Sequence, residues 1–177
     1  MSKPQLFISK ADFSDVPALN VLVNSAYRGE SSKKGWTTEA DLLDGVRTTE
    51  QSLTELLSDP NSNVLLAKDT NGTLYGCVNL QLKGNGLYLG MLTVDPELQG
   101  GGIGKFLLAE ADSFAKANNK VFIEMTVISI RKELIAWYER HGYSKTGERR
   151  PFPMDNQAFG LPKQFLEFIV LNKTINS

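Results

Sequence analysis

The chain has 177 residues, 41% of them hydrophobic, with a formal charge of −1, one cysteine and one histidine. That length suits one domain with a sizeable core, and the near-neutral balance offers no overall basic field for nucleic acid or an anionic membrane. A lone cysteine excludes an internal disulfide, and a lone histidine leaves no cluster of soft metal ligands, so no metal is expected.

Residues 1–6 carry no long apolar stretch, and no apolar run approaches bilayer length, so cytoplasmic residence with no membrane partner is expected. Residues 5–10 read as a first strand. Ser14 or Asp15 then caps a helix running to about Tyr27, with Val16, Leu19, Val23 and Ala26 at helical spacing. A polar stretch over residues 28–38 follows. Residues 38–46 and 48–57 read as one helix or two, the second opened by a Thr48-x-x-Gln51 capping box and closed by Asp59-Pro60-Asn61. Three strands come next, over residues 63–68, 74–82 and 87–94, with Asn71-Gly72 and Gly84-Asn85-Gly86 as turns. They form an antiparallel meander.

A helix from residue 103 to about 118 presents Ile103, Phe106, Leu107, Ala111 and Phe114 on one face. A buried strand is expected over residues 121–127, a helix over 131–141, a strand over 143–148, a loop rich in Pro and Gly, and a last strand over 164–171. A meander feeding a strand, helix, strand, helix unit predicts an α/β chain built on one mixed, mostly antiparallel sheet with helices on both faces.

Most of the functional signal lies where the meander ends, in Gln99-Gly100-Gly101-Gly102-Ile103-Gly104-Lys105. Amides at a helix N-terminus, uncovered by side chains, bind phosphate because their unsatisfied N–H groups and the helix dipole point the same way. Two familiar phosphate loops do not fit. Gly104-Lys105 is followed by Phe106, so the hydroxyl of a Walker loop is missing; Gly100 and Gly102 lead to Lys105, and Gly102 and Gly104 to Leu107, so the dinucleotide spacing fails as well. The spacing present is Gln99-x-x-Gly102-x-Gly104. It occurs by chance in about one chain in six of this size, but Val94-x-Pro96 precedes it and Trp137-Tyr138-Glu139-Arg140-His141-Gly142-Tyr143 follows downstream.

Together these segments resemble two signatures of the GNAT N-acetyltransferase superfamily: the Q/R-x-x-G-x-G/A pyrophosphate loop and the L-Y-E-K-x-G-F segment. The order of elements also resembles that fold over nearly the whole chain, so residues 1–177 are expected to be a single GNAT domain. The resemblance implies acetyl-CoA as co-substrate, held by Gln99, Gly100, Gly101, Gly102, Ile103, Gly104 and Lys105, with backbone contacts from Leu92, Thr93 and Val94 in the preceding strand. It implies Tyr138 as the general acid that protonates the departing thiolate. Against this stands the plain reading of Tyr138 as a core aromatic in the stripe Arg131, Leu134, Ile135, Tyr138.

Arg131 occupies a position where many relatives carry Asn, and Leu134 replaces the usual Ala. Arg131 is a candidate for phosphate or a substrate carboxylate, or for pairing with Glu133 or Glu139. Strand alternation places Glu124 beside Phe122 and Thr126 in a strand covered on both sides, where a carboxylate is costly unless paired or used. It is a candidate base for the amine, its proton affinity raised by burial. Cys77 has no evident base partner, and His141 reads as a helix C-terminal cap. Tyr27, Glu30, Trp36, Arg149 and Arg150 border the acceptor side of the family fold and are candidate contacts for a small amine or peptide acceptor. Homodimers are common in the family, which adds a homodimer to the partners considered. Two rival readings stay open: a CoA-binding regulatory or interaction module without turnover, and a nucleotide-binding module.

Overall fold

A computed structural model describes residues 5–27, 43–44, 48–98, 101–152, 161–162 and 166–176. The first strand, β1 (Phe7–Lys10), is followed by a single 3-10 turn, Phe13–Asp15. Its cap is Asp12, not Ser14 or Asp15: the Asp12 carboxylate accepts the Ser14 N–H, and Asp15 reaches back to the Asp12 N–H in a capping box. Helix α1 (Val16–Tyr27) continues from it. Helix α2 (Glu50–Ser58) is capped one residue later than its sequence suggests, by Thr49 accepting from the Ser52 N–H at 3.1 Å. Thr48 is instead buried, its backbone N–H and C=O both bonded to the Asn24 side chain.

Within the expected helix over residues 38–46, Leu43–Asp44 is a two-residue strand, β2, paired with β8 (Leu161–Pro162). The other residues of that stretch lie outside those described, as does the polar stretch over 28–38. The meander is β3 (Ser62–Lys68), β4 (Leu74–Lys83) and β5 (Gly86–Val94). Helix α3 (Ile103–Ala117), β6 (Phe122–Ile128), α4 (Lys132–Arg140), β7 (Ser144–Pro151) and β9 (Glu167–Thr174) complete the chain. The last two strands lie a few residues beyond their expected ends because partners, not local pattern, set their limits: Arg149, Arg150 and Pro151 pair with Ile169, Phe168 and Glu167.

The main sheet has seven strands in the order β1-β3-β4-β5-β6-β9-β7, antiparallel except for β5 beside β6. Alternation divides its apolar side chains between two cores. Leu65, Ala67, Val78, Leu80, Ile123 and Met125 pack with Leu107, Ala111, Ile135 and Tyr138 of α3 and α4, while Val64, Leu66 and Cys77 pack with Leu19, Val23 and Leu53 of α1 and α2. Burial of Leu107 and Leu19 is complete, and a fully buried side chain of this size is worth about 1.5–3 kcal/mol. Among the described residues, no helix is long and apolar enough to cross a membrane.

Candidate active site

The parallel pair at the centre of the sheet is short. Gly86, Leu87 and Tyr88 pair with Phe122, Ile123 and Glu124, and no further rung joins β5 to β6 among the described residues. Both strands continue, β5 held by β4 and β6 by β9 through to Phe168 opposite Ile128. The segments Leu89 to Val94 and Met125 to Ile128 therefore part, opening a cleft in the sheet between two backbone edges. Its closed end is pinned by side chains as well, since Tyr88 Oη and Thr126 Oγ1 lie 2.7 Å apart across the two strands. This hydroxyl pair has no sequence signal of its own, because it requires the parallel register to be known.

The opening is sharpened by a bulge in β5. Cys77 pairs with Thr93 and Asn79 with Gly90, so Met91 and Leu92 together oppose Val78. Met91 takes a φ of 54°, a left-handed conformation seldom adopted by a residue with a side chain. Leu92 and Val94 point to the α3/α4 face, where they pack on the same core as Tyr138 and Val127. The Thr93 side chain does not face the cleft; it is 2% exposed and donates to the Met91 carbonyl at 2.9 Å.

Beyond β5 the chain turns at Asp95, whose carboxylate accepts the Glu97 N–H. Gln99 and Gly100 lie outside the described residues. Gly101 precedes Gly102, which is the N-cap of α3 in the left-handed region at φ 78°; among the described residues no side chain caps the helix, and its first turn holds no acid. The first-turn amides, up to Lys105, therefore point outward with the positive end of the helix dipole and no carboxylate within that turn. Ile103 buries its side chain in the core, and Lys105 is exposed. Gly104 is closely covered: a Cβ there would stand 3.1 Å from both Cζ2 and Cη2 of Trp137. That contact seats α4 beside the turn.

Within α4, Tyr138 is 5% exposed, its ring edge-on to Trp137 at 5.1 Å and to Tyr143 at 5.9 Å. The stripe read from spacing is real: Arg131, Ile135 and Tyr138 are buried, with Leu134 partly so. Arg131 starts α4 by accepting the Ile135 N–H on its carbonyl, and its buried Nε stands 4.0 Å from a Glu133 oxygen. His141 ends the helix, with Nδ1 2.7 Å from the Trp137 carbonyl.

On the opposite face, Glu124 sits in a row of polar side chains that register carries across six strands: Ser62, Gln81, Tyr88, Glu124, Asn172 and Ser144. Its carboxylate is partly exposed and accepts from Arg150 Nη2 at 3.1 Å. Arg149 and Arg150, expected in a loop, stand on β7 and are engaged by acids, Arg149 by Glu167 and Arg150 by Glu148 and Glu124. Arg150 is held above the ordinary guanidinium range, first by its bond to Glu148, against desolvation, and then by Glu124. Tyr27 is the last residue of α1, and its side chain, like Glu30 and Trp36, lies outside the described residues. Among the described residues, no three His, Cys, Asp or Glu side chains gather as a metal site would require.

The family model described as acetyltransferase (GNAT) domain matches residues 60–145, from just before β3 into β7. This chain carries a GNAT acetyltransferase domain. Its enzyme class is that of an N-acetyltransferase. The matched stretch contains the parted strands, the bulge, the uncapped α3 turn and Tyr138. No curated protein matches the sequence. Solved structures share the GNAT fold over almost the full length. The ribosomal-protein-S18-alanine N-acetyltransferase from Escherichia coli aligns with a TM-score of 0.72 at 14% identity, covering 98% of this chain and 96% of that one. Nourseothricin acetyltransferase aligns at 0.68 and 20% identity, covering 97% and 99%. The protein yncA from Salmonella typhimurium, solved with its cofactor acetyl-CoA, aligns at 0.68 and 17% identity, covering 98% and 95%.

Proposed function

We propose that residues 1–177 act as one domain that transfers an acetyl group from acetyl-CoA to a primary amine of a small molecule or peptide by direct attack. One observation carries the reading: the cleft between β5 and β6 runs toward an N-terminal turn of α3 that has a left-handed Gly102, no acid of its own and, among the described residues, no side-chain cap. Such a turn fits a pyrophosphate, and a cleft walled by backbone edges fits an extended arm that needs amide partners. Bound acetyl-CoA would supply the activated thioester carbonyl. Gln99, Gly100, Gly101, Gly102, Ile103, Gly104 and Lys105 are the proposed phosphate cradle, through their amides. The backbone of Leu92, Thr93 and Val94 lines the arm and polarises the carbonyl, and Arg131 is the further cofactor contact proposed from α4.

Glu124 takes the proton of the attacking amine, directly or through water, with Arg150 orienting the carboxylate. As the new C–N bond forms and the C–S bond breaks, Tyr138 gives its hydroxyl proton to the sulfur. Tyr27, Glu30, Trp36 and Arg149 are proposed around the acceptor. Cytoplasmic residence and a homodimer complete this reading.

Thiol release from acetyl-CoA across a panel of amines and peptide N-termini tests it. At least one acceptor is expected to turn over, with kcat falling about a hundredfold or more in Tyr138→Phe while acetyl-CoA affinity is kept. Because Arg150 already engages Glu124, a CoA-binding module without turnover is the second reading. Acetyl-CoA binding with no thiol release from any amine would favour it.

A further inference from the structure

The bulge in β5 is held from several directions. The Met91 carbonyl oxygen accepts the Thr93 hydroxyl at 2.9 Å and stands 3.7 Å from the Cys77 sulfur, a thiol hydrogen bond. Thr93 and Cys77 are register partners on neighbouring strands, so these donors close on one carbonyl from both strands of the ladder. Both side chains are buried, and the Met91 side chain packs into the core beneath α1 and α2. A hydroxyl and a thiol are thus used at the one described residue of the sheet, glycines aside, whose φ opposes its side chain.

The consequence reaches the cleft. Side chains alternate with a period of two, so one extra residue at Met91 decides which of Leu92, Thr93 and Val94 face α3 and α4. The same slip decides which of their backbone groups point at β6. We infer that Thr93 and Cys77 are positioning residues: by fixing the Met91 carbonyl they set the backbone phase of Leu92 to Val94, and through it the affinity of the cleft for the thioester arm. This inference rests on the reading of the cleft as the acetyl-CoA site.

Thr93→Val keeps the shape and removes the donor, Thr93→Ser keeps the donor, and Cys77→Ala removes the weaker one. Calorimetric titration with acetyl-CoA and with 3′-phosphoadenosine diphosphate, which has the pyrophosphate but no arm, separates the cleft from the loop. Acetyl-CoA affinity is expected to fall about tenfold in Thr93→Val and about threefold in Cys77→Ala, with Thr93→Ser within twofold of wild type. Affinity for the armless nucleotide stays unchanged in all three. Amide hydrogen exchange without ligand should quicken over residues 90–94 in Thr93→Val. Equal loss for both ligands, or wild-type acetyl-CoA affinity in a folded Thr93→Val protein, overturns the inference. If Thr93→Val does not fold, wild-type affinity in Cys77→Ala overturns it instead. Wild-type protein that binds no acetyl-CoA removes the cleft reading itself, and the inference with it.

Discussion

Tyr143 stands just past α4, 2% exposed, and its hydroxyl has no hydrogen-bond partner among the described residues. Lys173 lies 5.7 Å from its ring centre and bonds Asp112 at 2.8 Å. Burial first, and the Asp112 charge second, push the phenol well above its ordinary value of 10.0. A folded-state value raised above the unfolded one contributes stability that is fully present below about pH 10 and is lost as pH rises toward the folded value. Tyr143→Phe removes the group that ionises on unfolding, so its stability should fall less between about pH 8 and pH 11 than that of wild type. Urea midpoints at the two pH values measure this, and parallel declines would show that the phenol contributes nothing. The same residue shows what sequence can convey: Tyr143 was visible as part of a signature, but its neighbours Asp112 and Lys173 come from a helix and a strand far along the chain. Glu124 is a similar case. Alternation marked it as a carboxylate needing a partner, whereas Arg150, 26 residues away, was identified only by the sheet.

Elements were legible where their signals are local. The glycine turns, the amphipathic stripe of α3 and the Arg131 to Tyr138 stripe of α4 follow from spacing alone, and the structure keeps them. The caps lie one to three residues from their expected positions because several cap-competent side chains stand close together at each site, Asp12, Ser14 and Asp15 at the first and Thr48 and Thr49 at the second, and only backbone angles choose among them. The Met91 bulge could not be read at all, since positive φ is signalled by Gly or Asn and Met is neither. Packing between elements adds a constraint that the family pattern leaves open. That pattern accepts Ala at the second glycine, but in this chain a Cβ at Gly104 would press on Trp137, whose ring lies tilted against His141 with the ring centres 4.4 Å apart. Gly104→Ala should therefore lose about 1 kcal/mol, as overpacking outweighs the gain in helix propensity. In a Trp137→Leu background the sign should reverse. A double-mutant cycle from denaturant titrations tests this, and identical effects in both backgrounds would rule the contact out.

At the scale of the whole molecule, the sheet is two half-sheets, β1-β3-β4-β5 and β6-β9-β7, joined by three rungs and by α3 packed across them. A ligand filling the cleft would supply contacts that the ladder lacks. At a hundred times its dissociation constant it stabilises the folded state by about 2.7 kcal/mol, or roughly 5 to 10 °C in a protein of this size. A thermal scan with acetyl-CoA should show that rise, and its absence at such a concentration would mean that the ligand does not prefer the native fold. Mechanically, the three rungs from Gly86 to Tyr88 act as a pivot, with Leu89 to Val94 as a lever arm about 20 Å long. A rotation of the half-sheets by about ten degrees moves the far end by about 3.5 Å, on the scale of one rise per residue, and leaves the pivot nearly still. In such a rotation the mouth of the cleft would change most and the three rungs least.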